Sequence, residues 1–158
     1  MAHAEAIVRE AEPQDVLLVT EFVVAMARDS EGAELDEEVV EAAVRAALAD
    51  RAKGVYYVAE ADEGLVGQAL VTTEWSDWNC CEYWWLQSVY VLPEWRRRGV
   101  FGAIYRHVEQ AARDARAAAL RLYVRRDNER ARLAYERLGM RAADYIVYEQ
   151  PLHSSRRT

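Results

Sequence analysis

Residues 88–105 read SVYVLPEWRRRGVFGAIY, and this stretch predicts a strand, a turn and a helix in succession. The strand ends at Pro93, because proline has no N–H group to donate to a sheet. Three arginines at residues 96–98 fill the turn, and Gly99 opens an amphipathic helix. The first N–H groups of a helix have no helical partner and carry the positive end of the helix dipole. The stretch therefore predicts a cradle for a phosphate or pyrophosphate group.

Taken alone, the same turn also suits a solvated loop whose glycines merely end a strand. Its spacing matches neither a P-loop nor the dinucleotide-binding pattern G-x-G-x-x-G. The surroundings favour the phosphate cradle, since a long apolar strand precedes the turn. A second capped helix, which carries Asn128 and Tyr135, follows further along the chain.

Outside this stretch, the hydrophobic period switches between two and about 3.6 residues, which indicates a mixed α/β or α+β domain. A turn at residues 62–64 predicts a hairpin, and residues 74–79 are expected to form a loop. Strands are predicted at residues 7–10, 55–61, 65–73, 82–92, 120–124 and 145–149. Helices are predicted at residues 13–31, from a cap at Asp36 to Leu48, at residues 99–115 and at residues 128–138.

Composition limits the class of protein. The chain has 158 residues, of which 52% are apolar. No apolar run reaches the roughly 20 residues that span a bilayer, and the N-terminus lacks the pattern of a secretory signal. The adjacent Cys80 and Cys81 cannot cross-link distant segments, which favours reduced thiols in the cytoplasm. We expect one cytoplasmic domain over residues 1–152, no membrane contact, and a disordered tail at residues 153–158.

Charge bears on the partners. The formal net charge is -7, which argues against nucleic acid as a partner and favours cationic small molecules such as amines. His3, His107 and His153 lack metal-ligand spacing, so no metal site is predicted. No nucleophilic triad is visible either.

The two capped helices together resemble the GNAT N-acetyltransferase superfamily. The family pattern Gln/Arg-x-x-Gly-x-Gly/Ala opens a helix after the fourth strand, and here residues 96–101 read RRRGVF, with Gly102 next. Phe101 replaces the second family glycine. The second family motif, an asparagine followed by a helix that ends in Tyr-x-x-x-Gly-Phe/Met, appears as Asn128 and residues 135–140, which read YERLGM.

The resemblance covers residues 7–149 and implies a fold. That fold is a mixed, mostly antiparallel sheet of about six strands with splayed central strands, flanked by four helices. The resemblance also implies acetyl-CoA as co-substrate, bound in the gap beside the fourth strand. Its implied contacts are Val89, Tyr90, Val91, Arg96, Arg97, Arg98, Gly99, Val100, Phe101, Gly102, Asn128 and Tyr135.

Within that set, the resemblance implies different roles. Residues 89–91 lend backbone groups to pantetheine, and an amide there faces the thioester oxygen. Residues 96–102 hold the pyrophosphate, and Asn128 contacts the middle of the cofactor. Tyr135 matches the family tyrosine that protonates the departing thiolate, a role that suits a phenol with a pKa of about 10. Without the motif, Tyr135 would be interpreted as a core aromatic residue.

The general base is not evident. Several amine acetyltransferases carry a glutamate where this chain has Gln87, and an amide cannot act as a base. We expect the proton to leave through water ordered by Gln87 or Ser88, through a nearby acid such as Glu82 or Asp77, or directly to solvent. Each acid also suits an ordinary surface position.

Tryptophans cluster near the fourth strand, at Trp75, Trp78, Trp84 and Trp85. Regular alternation puts Trp85 on the same face as Gln87, although a bulge of the kind usual in the family would change that parity. Trp85 and Glu82 are the predicted acceptor-binding residues. The tryptophans equally suit a core or a dimer surface.

Three functions stay open at this point. The first is acetylation of a small-molecule primary amine by direct attack on acetyl-CoA. The second is acetylation of a protein N-terminus or lysine, and the third is a non-catalytic acyl-CoA sensor, which Gln87 and Phe101 keep open. The sequence is also compatible with a homodimer.

Overall fold

The computed structural model describes residues 6–152 of the chain. The chain divides into two compact units, with described residues 6–122 in the first and 123–152 in the second. The prediction of one domain over residues 1–152 stays a prediction, and the tail at residues 153–158 lies outside the described residues.

The first unit is built on an open five-stranded sheet whose strands follow chain order from edge to edge. The first four strands pair antiparallel, and the fifth runs parallel to the fourth. The strands are β1 (Ile7–Glu10), β2 (Val55–Ala61), β3 (Gly64–Ser76), β4 (Cys81–Val91) and β5 (Ala119–Leu122).

Helices cover both faces of this sheet. They are α1 (Val16–Glu31), α2 (Glu37–Ala49) and α3 (Val100–Asp114). The core between the sheet and the first two helices consists of Val16, Val19, Phe22, Val44, Tyr56, Val58, Leu65 and Tyr90. On the opposite face α3 buries Ile104 and Val108, and its His107 ring lies 5.5 Å from the ring of Tyr57 on β2.

The predicted helix boundaries follow from local capping. The Asp36 carboxylate accepts hydrogen bonds from the N–H groups of Glu38 and Val39, which confirms the predicted start of α2. Gly32 ends α1 at φ 61°, a left-handed conformation that glycine adopts without strain. Pro13 begins a short 3-10 turn, Pro13–Asp15, that leads into α1.

The second unit contains α4 (Glu129–Arg137). Its cap is the predicted one, since the Asn128 side-chain oxygen accepts the N–H of Ala131 at 3.1 Å. After the helix, Gly139 takes φ 89°, and the N–H of Met140 donates to the carbonyl of Tyr135 at 3.1 Å. The helix therefore ends where the sequence predicted.

One strand prediction was wrong. Residues 145–149 form no strand, although Tyr145, Ile146, Val147 and Tyr148 suit one by composition. Each of these four side chains is at least 61% exposed. Strand formation needs a hydrogen-bonded neighbour, and none pairs with them among residues 6–152. The sheet of the described chain thus has five strands, one fewer than expected.

The loop predicted at residues 74–79 is shorter than expected. Strand β3 continues to Ser76, because Ser76 pairs with Cys81 and Glu74 pairs with Tyr83. Cross-strand pairing therefore extends the hairpin beyond the polar residues that suggested a loop. The mixed α/β fold, the mostly antiparallel sheet and the four helices are confirmed. In residues 6–152, no helix is both long and apolar enough to cross a membrane.

Candidate functional site

Strand β4 is interrupted by a bulge at its centre. Gln68 pairs with Tyr90 and Leu70 with Gln87, so Ser88 and Val89 together lie opposite the single residue Ala69. Ser88 takes a left-handed φ of 48°, which is uncommon for a residue with a side chain. The bulge that the family resemblance suggested is therefore present. It shifts the alternation of side chains between Gln87 and Tyr90.

One edge of β4 is unpaired beyond the middle of the strand. β5 pairs only with residues 83–86, from Tyr83 opposite Ala119 to Leu86 opposite Leu122. Among the described residues, no strand lies beside residues 87–91 on that edge. Unpaired backbone groups on a strand edge bind extended, amide-containing chains by the same geometry as a neighbouring strand. The predicted pantetheine contacts, Val89, Tyr90 and Val91, all lie in this segment.

A buried amide supports the bulge from β3. Gln68 is 0% exposed, and its Nε2 donates to the carbonyl of Ser88 at 3.4 Å. Its Oε1 has no hydrogen-bond partner among the described residues. An unsatisfied buried acceptor costs about 1–3 kcal/mol, so packing alone would favour an apolar side chain here. The hydrogen bond to the bulged residue is the contact that this polar side chain makes.

The start of α3 lies directly after β4 and a 3-10 turn, Pro93–Trp95. The first helical hydrogen bond joins the N–H of Ala103 to the carbonyl of Gly99 at 2.9 Å. The N–H groups of residues 100–102 therefore precede the helical hydrogen-bond ladder. Gly99 takes φ 85°, and a Cβ added there would lie more than 4 Å from every described residue except its two chain neighbours. The space around the missing Cβ of Gly99 is therefore open among the described residues.

The three arginines of this turn have different surroundings. Arg96 is held within the fold, since its Nε donates to the Val91 carbonyl and its Nη2 to Asp29 on α1, both at 2.9 Å. Arg98 stacks over the buried ring of Trp95, with 5.2 Å from Cζ to the ring centroid. Arg97 is exposed and left-handed at φ 62°. All three arginines are exposed, and Arg96 ties the turn to β4 and α1.

Phe101, the departure from the family motif, packs along its own helix. Its ring centroid lies 6.2 Å from that of Tyr105, one turn further on. Val100 is buried and contacts the site of Gly67, where a Cβ would lie 3.2 Å from Val100 Cγ1 and 3.0 Å from the Tyr90 carbonyl. The absence of a side chain at Gly67 therefore lets the start of α3 approach the bulged part of β4 closely.

A mixed aromatic and polar surface lies on the α1 side of the sheet. The register puts Thr72 opposite Trp85, and Leu70 opposite Gln87. Gln87 is half-buried, and its Nε2 donates to the hydroxyl of Thr72. By strand alternation, Glu82 lies on the other face. The structure thus brings Trp85 and Gln87 together and separates Glu82 from them.

Three further residues share the face of Trp85 and Gln87. Tyr83 lies two residues before Trp85 on β4, Glu74 pairs with Tyr83 from β3, and Arg121 pairs with Trp85 from β5. None of the three was predicted from the sequence. Alternation along β4 could have placed Tyr83 on the face of Trp85. The signal for Glu74 and Arg121 is non-local, because their faces are defined only once the Ser76–Cys81 hairpin register and the parallel β4–β5 register are known.

In the second unit, Tyr135 lies on α4 and is half-buried. Burial raises the pKa of its phenol above the usual 10.0. The phenol therefore carries its proton throughout the neutral range and is suited to donate it. Asn128 uses its side-chain oxygen to cap α4, which leaves its amide N–H groups as donors.

These features fit a phosphorylated, amide-containing ligand. The open helix start offers three backbone N–H groups and adjacent arginines to a pyrophosphate. The unpaired edge at residues 87–91 offers backbone groups to amides. Among residues 6–152, no group of three or more His, Cys, Asp or Glu side chains is arranged to hold a metal ion.

The comparisons with known proteins agree with this geometry. The model of the acetyltransferase (GNAT) family matches residues 20–140. No curated protein matches the chain in sequence. A possible acetyltransferase from Clostridium difficile 630 shares 36% identity at a TM-score of 0.89, over 94% of this chain and 99% of that one.

Two further solved structures are similar. A probable acetyltransferase shares 26% identity at a TM-score of 0.85, over 94% of this chain and 99% of the other. A predicted acetyltransferase from Clostridium acetobutylicum, solved with acetyl-CoA, shares 16% identity at a TM-score of 0.76, over 92% and 96% of the two chains. At that identity the likeness shows the fold alone.

Proposed function

The chain belongs to the acetyltransferase (GNAT) family, and we propose that it transfers the acetyl group of acetyl-CoA to a primary amine of a small molecule. The observation that carries this proposal is the continuous path from the bulged, half-unpaired β4 to the open start of α3. One segment of chain thus offers backbone groups for amides and, directly after them, N–H groups for phosphates.

Acetyl-CoA matches these groups in order. Its pantetheine amides suit the backbone of Val89, Tyr90 and Val91 on the unpaired edge. Its pyrophosphate suits the N–H groups of Val100, Phe101 and Gly102 together with Gly99 and the accessible Arg97 and Arg98. Arg96 holds the turn in place through Val91 and Asp29. Family resemblance adds Asn128 and Tyr135 to this set.

The chemistry asks three things of the protein. Acetyl-CoA supplies an activated acyl group as a thioester. The amine nitrogen forms a bond to the carbonyl carbon, the C–S bond breaks, and the amine loses a proton. A backbone N–H at the bulge is suited to stabilise the negative charge that develops on the carbonyl oxygen. Tyr135, kept protonated by burial, is suited to give its proton to the departing thiolate.

The proton of the amine needs a separate path. Gln87 does not act as a base, but it is half-buried beside the bulge and hydrogen-bonded to Thr72. It is suited to order a water that accepts the proton and passes it to solvent. Glu82 lies on the opposite face by strand alternation, so a direct role for it as base has less support than this water path. A substrate role for Trp85 is supported by its position on the face of Gln87.

Specific residues favour two alternative functions. Gln87 in place of an acid is compatible with an acyl-CoA sensor that does not turn over. The exposed surface around Trp75 and Trp78, which are 62% and 87% exposed, suits contact with a larger substrate such as a protein N-terminus or lysine, or with a second copy of the chain in a homodimer. The free thiols of Cys80 and Cys81 fit action in the cytoplasm.

Release of free thiol from acetyl-CoA across a panel of amines tests the proposal. The panel holds polyamines, aminoglycosides, amino acids and short peptides. We expect release that depends on a small amine and that falls in Tyr135→Phe. Tyr148→Phe is the matched control, because Tyr148 is an 88% exposed tyrosine of the same unit. Release with peptides alone would favour a protein substrate, and acetyl-CoA binding without any release would favour the sensor.

A further inference from the structure

Arg121 lies flat on an aromatic surface of the sheet. Its guanidinium carbon is 3.5 Å from the centroid of the Tyr83 ring and 5.8 Å from that of Trp85. The side chain therefore reaches from β5 across β4. Stacking of this kind holds the planar guanidinium in one orientation, so less entropy is lost when it binds a ligand.

The guanidinium of Arg121 has N–H donors with which it can bind a ligand. Among the described residues its hydrogen-bond partner is Glu74, whose Oε2 lies 3.4 Å from Nη1. The Arg121 side chain is 33% exposed and that of Glu74 is 53% exposed. A single long contact to an exposed carboxylate engages one of the five N–H donors of an arginine. The other donors are oriented by the stacking and are open to a planar anion such as a carboxylate.

Arg121 lies on the same face of the sheet as the proposed reaction site. Tyr83, Trp85 and Gln87 follow one another on the same face of β4. Four residues of strand separate Tyr83 from Gln87, which corresponds to about 13 Å. The stacked guanidinium thus lies near one end of this surface, and the bulge lies just past Gln87 at the other end. A ligand that touches both must be extended.

We propose that Arg121 binds a carboxylate of the acceptor, and that the acceptor is an amine whose carboxylate lies several bonds from the reacting nitrogen. The amine reaches the bulge beside Gln87 while the carboxylate accepts from the guanidinium above Tyr83. The apolar chain between them lies against Trp85. Glu74 complements an ammonium group next to that carboxylate, as in a free diamino acid. This inference rests on the proposed amine acetylation.

Two pairs of acceptors isolate the carboxylate. 8-Aminooctanoate and octylamine present the same reactive primary amine with and without a remote carboxylate, and so do 9-aminononanoate and nonylamine; the extended amino acids are long enough to reach from the bulge toward the guanidinium. We expect kcat/KM to be at least about tenfold higher for the carboxylate-bearing member of each pair, because charge-assisted hydrogen bonds to a partly buried arginine are of this strength.

Variants test whether Arg121 causes the preference for carboxylate-bearing amines. In Arg121→Gln the ratio of kcat/KM within each pair should fall toward one, whereas Arg121→Lys should retain part of it because the charge remains. Arg113→Gln is the matched control, since Arg113 also forms an exposed pair with a glutamate, on α3. The control should keep the wild-type ratio. Equal use of both members by the wild type, or an unchanged ratio in folded Arg121→Gln, would overturn the inference and leave amine acetylation intact.

A binding measurement separates this inference from the proposed function. Isothermal titration of 8-aminooctanoate and octylamine into the protein with CoA requires no turnover. We expect the carboxylate-bearing amine to bind more tightly to the wild type, and this difference to vanish in Arg121→Gln. If no amine is acetylated but this difference is found, the function fails and the carboxylate site stands. If both amines bind equally, the site fails whatever the activity.

Discussion

At the scale of single residues, Gln68 has the least expected environment in the first unit. It is fully buried, leaves Oε1 without a partner among the described residues, and donates to the carbonyl of the left-handed Ser88. This hydrogen bond stabilises the bulge that orients the backbone proposed to face the thioester. We therefore expect Gln68 to act as a positioning residue through the bulge.

Gln68→Met should therefore lower the turnover rate without lowering the stability of the fold. Removal of the unsatisfied acceptor should leave the free energy of unfolding unchanged or raise it by about 1 kcal/mol. We expect kcat to fall about tenfold, or about 1.4 kcal/mol in the barrier, with a smaller change in the KM for acetyl-CoA. Chemical denaturation and steady-state kinetics measure both. Thr20→Val removes another buried side chain bonded to a carbonyl and should not lower kcat.

Tyr135 gives a prediction about pH. Burial raises its phenol pKa above 10.0, so the protonated donor persists at neutral pH and is lost only as pH rises through that raised pKa. Tyr135→Phe should lower kcat by about 10²-fold and leave the dissociation constant of acetyl-CoA within about twofold, since a lost donor of this kind acts in the transition state. The raised pKa would be contradicted if the kcat of the wild type fell between pH 7 and 9 and the kcat of Tyr135→Phe did not.

The sequence predicted part of the proposed chemistry. Gln87, Trp85 and Tyr135 were selected because motif and alternation are local properties. Gln68, Glu74 and Arg121 were missed, because their roles depend on which residue of another strand lies opposite. Glu82 was selected as an acid near the start of the strand, yet strand alternation puts it on the opposite face from Trp85 and Gln87.

At the scale of elements, the proposed binding of acetyl-CoA depends most on the start of α3. Gly99 has φ 85° and open space around its missing Cβ. Gly99→Val should weaken acetyl-CoA binding about tenfold or more, because a branched side chain would fill the approach to the helix N–H groups. Titration calorimetry measures the dissociation constant.

A variant at a second glycine distinguishes the effect of backbone strain from the effect of a blocked cofactor site. Gly32→Val introduces the same residue at another left-handed position, at the end of α1, where a Cβ also has open space. Both variants should lose stability through backbone strain of about 1–2 kcal/mol. Only Gly99→Val should lose affinity. Wild-type affinity in a folded Gly99→Val protein would remove the proposed phosphate cradle.

Elements with local signals were predicted well. The ends of α1, α2 and α4 were found because their caps, Gly32, Asp36 and Asn128, lie within a few residues of the helices they terminate. Strands were harder, since a strand exists only through its neighbour. Residues 145–149 have a strand-like composition without a partner among residues 6–152, and β3 is lengthened by its pairing with β4.

At the scale of the whole molecule, a polar network ties the first strand to the rest of the sheet unit. Arg9 donates to the buried carboxylate of Asp15 at 2.7 Å and to Glu60 on β2 at 2.7 Å. The N–H of Glu12 also donates to Asp15. Hydrogen bonds from Arg9, and then from Glu12, hold the pKa of Asp15 below its usual 3.8 against the effect of burial.

This network predicts sensitivity to acid. Because the folded pKa of Asp15 is depressed, its contribution to stability is complete above the unfolded pKa of about 3.9 and is lost as pH falls below it. Asp15→Asn should cost about 1–3 kcal/mol at pH 7 and should flatten the loss of stability below pH 4. Glu109→Gln, which breaks an exposed helix pair, should change this dependence little. An equal slope in wild type and Asp15→Asn would show that the network is not responsible.

Isotope transfer tests the reaction proposed for the whole molecule most directly. The protein is incubated with acetyl-CoA labelled in the acetyl group and with the amine that gives the fastest thiol release, and the products are identified by mass spectrometry. We predict one labelled acetyl group on the amine nitrogen for each CoA released, with transfer reduced in Tyr135→Phe. Release of CoA with labelled acetate and no acetylated amine, or no release with any amine, would contradict the account.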